Sequence, residues 1–204
     1  MAFNVLRRIN IKTNLFFVKT KMGSVLKIYK NLLNKYPLGM QAVQAGTLMA
    51  IGDQMAQNVV EKRKFKDLDF IRTAQFYAIG FCIGGPATRT WYGILDKYIG
   101  SKGNTVVLKK VACDQLLFAP TFIVILLSSI GLMQGNNIDG VKRKISNEYE
   151  DILINNYKIW PLVQLINFKL VPLQYQVLVV QSIAIFWNTY ISFRTNRDQL
   201  KLTY

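Results

Sequence analysis

The chain of 204 residues contains no histidine. Histidine-based triads, imidazole general bases and histidine metal sites are therefore excluded from the start. Acid is also scarce: 11 Asp and Glu stand against 26 Lys and Arg, and residues 1 to 52 hold none at all. Cysteine is limited to Cys82 and Cys113, with no CxxC and no second pair, so neither a disulfide framework nor a zinc site can be read. A G-x-x-x-x-G-K-S/T loop and a G-x-G-x-x-G after a strand are both missing, which removes the usual signatures of nucleotide hydrolysis and of Rossmann redox chemistry. No N-x-S/T sequon occurs, in keeping with a chain that stays out of the secretory pathway. These absences leave no expected catalytic residue, cofactor or metal. An enzyme is not expected.

What is present is apolar and basic. Hydrophobic residues make up 51% of the chain, and its mean hydropathy of +0.18 is high for a protein with 18% charged residues. The formal charge is +15, but much of the excess lies early, in Arg7, Arg8, Lys12, Lys19, Lys21, Lys27, Lys30 and Lys35 among apolar Leu6, Ile9, Phe16 and Phe17. An acid-free amphipathic leader over 1–29 fits mitochondrial targeting. Because the remaining basic residues flank apolar runs rather than marking a face with exposed aromatics, direct nucleic-acid binding is not expected.

The charge-free windows 115–138 and 170–193 exceed the ~20 residues that a helix needs to cross a bilayer. Two shorter windows, 36–52 and 73–88, end at Asp53, Arg72 and Arg89. They become spans if those charges face other helices or snorkel. The expected fold is an all-α membrane protein, a bundle of about four transmembrane helices near 38–60, 70–94, 106–134 and 172–193. An amphipathic or half-membrane segment near 141–171 adds to it. Val141, Ile145, Tyr149 and Ile152 recur among charges at helical intervals there, and Trp160-Pro161 opens a short apolar arm that ends before Pro172. The helical domain is expected over 30–195, followed by a polar tail at 196–204.

Asp53 and Asp114 each precede a glutamine inside apolar or small-residue sequence. A carboxylate is costly near a bilayer, so each marks a polar site between helices. Ala42, Gly46 and Ala50 precede Asp53 and Gln57 on the first helix, small residues that let a second helix approach. Gly80 and Gly84 form GxxxG, followed by Gly85 and Pro86; tight packing with a kink, or a hinge, are the two readings. In the last span Gln174, Gln181 and Asn188 recur every seven residues, with Ser192 four further on. That stripe is either interhelical hydrogen-bonding glue or the lining of a watery path. Arg89 completes a candidate cluster with Asp53 and Asp114. Lys110, one turn before Asp114, is placed to pair with it, leaving Asp53 as the expected partner of Arg89. The candidate pore-lining or gating set is Asp53, Gln57, Arg89, Asp114, Gln115, Gln181 and Asn188, and the hinge and packing set is Gly46, Gly80, Gly84, Pro86 and Pro172.

Five consecutive strings go further: AGxLMxxGDxxxQ (45–57), WYxxLDK (91–97), LKKxxxDQxxFAP (108–120), YxxWPxVQLxNFxLVPLxY (157–175) and VVQxxAxxWNxYxS (179–192). Together they resemble the Mpv/peroxisomal membrane protein family, closest to its mitochondrial inner-membrane branch, over about 30–193. The resemblance implies four membrane spans in the inner mitochondrial membrane and a weakly selective channel for small solutes. It also implies links to membrane potential, reactive-oxygen handling, the deoxynucleotide pool and mitochondrial DNA maintenance. The alternative function is a non-conducting membrane scaffold or assembly factor, and the alternative location is the peroxisomal membrane. Partners implied are the lipid bilayer and further copies of the chain or a larger membrane complex. Redox gating, suggested for relatives, would need Cys82 and Cys113 to meet. Trp91, Tyr92, Trp160 and Trp187 are amphipathic aromatics suited to membrane interfaces.

Overall fold

A π turn closes the first of three long helical rods and interrupts the other two, and these widened turns set which side chains share a face. The computed structural model describes residues 31–32, 35–100, 103–170 and 173–201. The expected leader at 1–29 and the expected hinge Pro172 lie outside them. Of one unit, Met1–Gln41, the described part includes the start of α1; the residues Ala42–Tyr204 form a second, compact unit. The first rod is α1 (Pro37–Met55) with a π turn at Ala56–Val60. Proline suits its first position, where the missing N–H has no intrahelical partner to lose. The second comprises α2 (Phe70–Ile79), a π turn at Gly80–Gly84 and α3 (Gly85–Ile99). The third comprises α4 (Asn104–Cys113), a π turn at Asp114–Phe118 and α5 (Ala119–Met133). Two further helices, α6 (Ile138–Leu170) and α7 (Leu173–Lys201), complete the described chain. Among the described residues there is no strand.

Two of the π turns sit just before a proline. Gly85 N–H donates to the Gly80 carbonyl and Ala119 N–H to the Asp114 carbonyl, five residues back in each case, and Pro86 and Pro120 follow directly. A proline inside a helix lacks a donor and crowds the carbonyl four residues earlier. The wider turn absorbs that mismatch, so both rods continue helical through their prolines. Pro161 likewise lies inside α6. The expected division into a surface helix and a half-membrane arm is replaced by one helix, which packs along α5 and α7. Val141, Glu148, Ile152 and Asn156 are its buried stripe. Similarly, α7 runs past Phe193 to Lys201 with Thr195 and Asn196 buried, so the beginning of the expected polar tail is part of the helix.

The core joins α1, α2, α5, α6 and α7 through Met49, Phe76, Ile79, Ile123, Leu127, Ile130, Ile152 and Ile191. The outward faces are apolar as well: Val43, Ile51, Phe81, Ile94, Leu116, Ile125, Leu162 and Phe186 are all exposed. Among the described residues one helix, Thr105–Met133, is long and apolar enough to cross a membrane, with a mean hydropathy of 2.3.

Glycines bring α1 against two neighbours. A Cβ on Gly80 would stand 2.6 Å from the Ala45 carbonyl oxygen, and one on Gly46 would stand 2.9 Å from the Tyr77 carbonyl oxygen. On another side of α1, Gly52 lies against the backbone of Asn188 and Thr189 in α7. Gly84 is different, with its nearest neighbour at 3.9 Å. Gly80→Ala is therefore expected to destabilise the bundle by about 1–3 kcal/mol, because the obstacle is backbone. Gly84→Ala should be neutral or slightly stabilising, since alanine is the better helix former. Thermal unfolding of the two variants in detergent micelles checks the contrast, and equal losses would show that the close approach at Gly80 is not limiting.

Candidate functional site

The polar residues singled out in the sequence fall mainly into two sites, one turn apart along the bundle. The first is a closed ion network. Asp53 is fully buried near the end of α1. Its Oδ1 accepts from Arg72 Nε at 2.7 Å and from Ser192 Oγ at 2.5 Å, and its Oδ2 accepts from Thr73 Oγ1 at 2.5 Å and Gln57 Nε2 at 2.8 Å. Arg72, only 4% exposed, then reaches Glu61 with two nitrogens, Nη2 to Oε1 at 2.7 Å and Nη1 to Oε2 at 3.1 Å. Its Nη2 also donates to Ser192 Oγ at 2.7 Å. Arg63 Nε closes the chain on Glu61 Oε2 at 2.7 Å. Two carboxylates and two guanidinium groups balance, and every oxygen of Asp53 has two donors. A buried charge is tolerable on those terms alone.

Local sequence prepares this geometry. Asp53, Gln57 and Glu61 are four residues apart, and the π turn at Ala56–Val60 adds one residue to the helical phase, which keeps all three on one face. Lys62 then adopts a left-handed backbone with φ of 53° and turns the chain, while Arg63 N–H caps the Gln57 carbonyl at 3.0 Å. Asp69 N-caps α2, its Oδ1 accepting from Arg72 N–H at 2.8 Å, and its own backbone is gripped by Gln57, which accepts from Asp69 N–H at 2.7 Å and donates to Asp69 O at 2.9 Å.

The expected pairing of Asp53 with Arg89 is thus corrected to Arg72. The reason is the length of the hairpin. Asp53 lies about 10 Å before the end of its rod and Arg89 about 28 Å past the start of the next, at 1.5 Å per residue, whereas Arg72 sits in the first turn of α2. Arg89 is exposed and makes no ion pair among the described residues. Lys110 does not pair with Asp114 either. It reaches Asp96 on α3, across the hairpin that joins α3 to α4.

The second site is a cavity of about 330 Å³ reached by all five rods. Asp114 and the amides Gln115, Asn156, Gln164, Gln181 and Asn188, with the hydroxyls of Thr88 and Tyr92, supply its smaller polar part. Asp114 Oδ1 accepts from Trp91 Nε1 at 3.1 Å and its Oδ2 from Gln115 Nε2 at 2.9 Å, while Gln115 Oε1 accepts from Asn156 Nδ2 at 2.8 Å. No described cation pairs with Asp114. Trp160 and Trp187 line the same space, edge to face with centroids 6.2 Å apart. Trp91 stacks on Phe118 and Phe118 on Phe122, at 5.4 and 5.1 Å. Trp160 and Trp187 thus line the cavity, and Trp91 contacts it through Asp114 and Phe118. Met49 and Asn188 line the cavity, and Asp53 and Ser192 follow each of them by four residues, so the ion network occupies the next turn on both α1 and α7.

Sequence reasoning missed Arg72, Glu61, Thr73, Asn156 and Gln164 as site residues. Arg72 was visible as the charge opening an apolar window, and the turn between the first two helices would have placed it. Asn156 and Gln164 had no such signal, because their helix looked like a surface segment. Cys82 and Cys113 are free thiols, Cys82 exposed.

An all-helical bundle with an apolar exterior, a buried ion network and a mostly apolar cavity holding a few polar side chains defines a class of membrane protein. Comparison with known proteins makes it specific. Residues 131–192 match the Mpv17 / PMP22 family. The Mitochondrial inner membrane protein Mpv17 of Xenopus laevis is 39% identical over 87% of this chain and 100% of its own length. Protein sym-1 of Neurospora crassa is 41% identical over 83% and 98%, and the Homo sapiens Mitochondrial inner membrane protein Mpv17 is 37% identical over 84% and 97%. No solved structure matches. The chain belongs to the Mpv17 / PMP22 family. Its place is the mitochondrial inner membrane.

Removing Arg72 strands Asp53 in the interior while Glu61 keeps Arg63, and breaking a buried pair in this way costs about 3–5 kcal/mol. Arg72→Met should lower stability by that amount while Arg89→Met leaves it unchanged, as read by thermal unfolding in detergent. Equal effects would refute the assigned pairing.

Proposed function

We propose that the chain is a multi-pass inner-membrane channel, weakly selective for small solutes, and not an enzyme. The observation that carries this reading is the central cavity: five rods turn amide, carboxylate and aromatic side chains into one space of about 330 Å³ while exposing Ile, Leu, Val and Phe outside. A bundle packed only for stability in lipid has little use for a carboxylate and five amides around an open volume. In this reading four rods span the bilayer (α1, α2–α3, α4–α5 and α7), and α6 accompanies them as the amphipathic element. Asp114, Gln115, Gln181 and Asn188 line the path, and the Asp53–Arg72–Glu61 network is its closed end, with Gln57 part of the gate. By family resemblance the channel supports membrane potential, reactive-oxygen handling, the deoxynucleotide pool and mitochondrial DNA maintenance, alone or as a homo-oligomer or part of a larger membrane complex.

One observation favours a second reading, a non-conducting scaffold: the ion network is fully paired and tightly buried, as a permanent staple would be. Conductance separates the two. Purified protein reconstituted into planar bilayers should conduct, and Asp114→Asn should lower the cation-over-anion permeability ratio severalfold with conductance retained, because one uncompensated charge in a low-dielectric passage dominates ion preference. Protein-dependent conductance that is absent would support the scaffold, and an ion preference unmoved by Asp114→Asn would remove Asp114 from the path.

A further inference from the structure

We propose that the cavity is a binding site for a small organic ammonium ion, held by the Asp114 carboxylate beside two aromatic pairs. The inference rests on the cavity described above and not on conduction through it. Three features of the site agree. First, Asp114 faces the cavity with only neutral donors, Trp91 Nε1 and Gln115 Nε2, against its oxygens, so its charge is left for something that enters. This contrasts with Asp53 one turn away, whose charge the protein itself neutralises. Second, two aromatic pairs line the cavity. Phe118 and Phe122 stack on one another, and Trp160 meets Trp187 at an interplanar angle of 79°. An edge-to-face pair presents a π face to the space beside it, and such faces attract weakly hydrated organic cations. Third, the volume is near the lower limit of small-molecule sites, which suits a ligand of a few carbons. Gln181 and Asn188 offer hydrogen-bonding groups on the same lining for a hydroxyl or amide on such a ligand.

The π turn at Asp114–Phe118 is what assembles these parts. Between Asp114 and Leu126 an ideal α-helix would carry the two about 120° apart around its axis, and the one residue that a π turn inserts takes back about 100°. Asp114, Phe118, Phe122 and Leu126 consequently all line the cavity. Charge and aromatic wall come from a single rod.

The chain's only three tryptophans are Trp91, Trp160 and Trp187. One binds Asp114 and the other two line the cavity, so intrinsic fluorescence reports on this site. Choline and its neutral isostere 3,3-dimethylbutan-1-ol would be titrated into the purified full chain in detergent, with potassium chloride as the inorganic control. Saturable fluorescence change with choline is expected, with the isostere and potassium each about tenfold weaker or more, the size of one desolvated cation contact. Asp114→Asn should weaken choline by a similar factor and leave the isostere unchanged. Equal binding of choline and isostere, choline no tighter than potassium, or no saturable response at all would each overturn the proposal. The choline-to-isostere comparison needs only the native protein, so a variant that fails to fold does not weaken the test. Conductance plays no part in it: a chain that binds choline without conducting keeps this inference and loses the channel.

Discussion

Arg72 holds the first, second and last rods of the described bundle in one register. Its guanidinium spans Asp53 near the end of α1, Glu61 in the turn that follows and Ser192 on α7. Removing these groups from water is expensive, and only nearly complete pairing offsets that expense. The geometry therefore has little freedom. Once Asp53 and Arg72 meet, α2 must pack antiparallel to α1 at a distance that Gly46 and Gly80 permit. Ser192 sets the height of α7 so that Gly52 meets Asn188. The upper walls of the cavity, Met49 on α1 and Asn188 on α7, are then one turn from the network by construction.

The π turns complete what the network begins. A straight α-helix rotates by about 100° per residue, so side chains four apart drift steadily around the axis. At Ala56–Val60 and Asp114–Phe118 the widened turn cancels that drift where a polar residue must share a face with others several turns away. Glu61 joins Asp53 in one case, and Asp114 joins Leu126 in the other. Proline supplies an independent cause for the second of these and for Gly80–Gly84, because a ring at Pro86 or Pro120 is better tolerated after a wide turn. At Ala56–Val60 no proline follows. The bonds of Glu61 and Arg63 into the network take its place.

Much of this was legible in the chain. The four helical windows appear at 37–60, 70–99, 104–133 and 173–201, because long apolar runs bounded by charge and glycine have few alternatives. Asp53 and Gln57 lie in the ion network and Asp114, Gln115, Gln181 and Asn188 line the cavity, while Arg89 stands apart from both. The partners themselves were not legible. Which arginine reaches Asp53 depends on the length of a turn, and which face Asp114 presents depends on a one-residue change of helical phase. Periodicity assumes a constant pitch and so cannot see that change. α6 was hidden for another reason: its charges, Lys144 and Glu148 among them, read as a wet surface, yet they pair with each other and with the Thr195 carbonyl inside the bundle.

The two Asp-Gln pairs show how little local sequence decides about charge. Gln54 turns away from its aspartate to donate to Thr73, and Asp53 takes a guanidinium, two hydroxyls and Gln57 instead. Gln115 turns toward its aspartate and is held there by Asn156. One carboxylate is consumed by the fold, and the other faces an open volume with only neutral donors against its oxygens. An interior selected for stability alone would place a cation near Asp114, and Lys110 is only one helical turn away. That lysine is committed to Asp96 across the hairpin. With Lys110 committed elsewhere, no described cation stands beside Asp114, and a positive group entering the cavity would favour its ionised form.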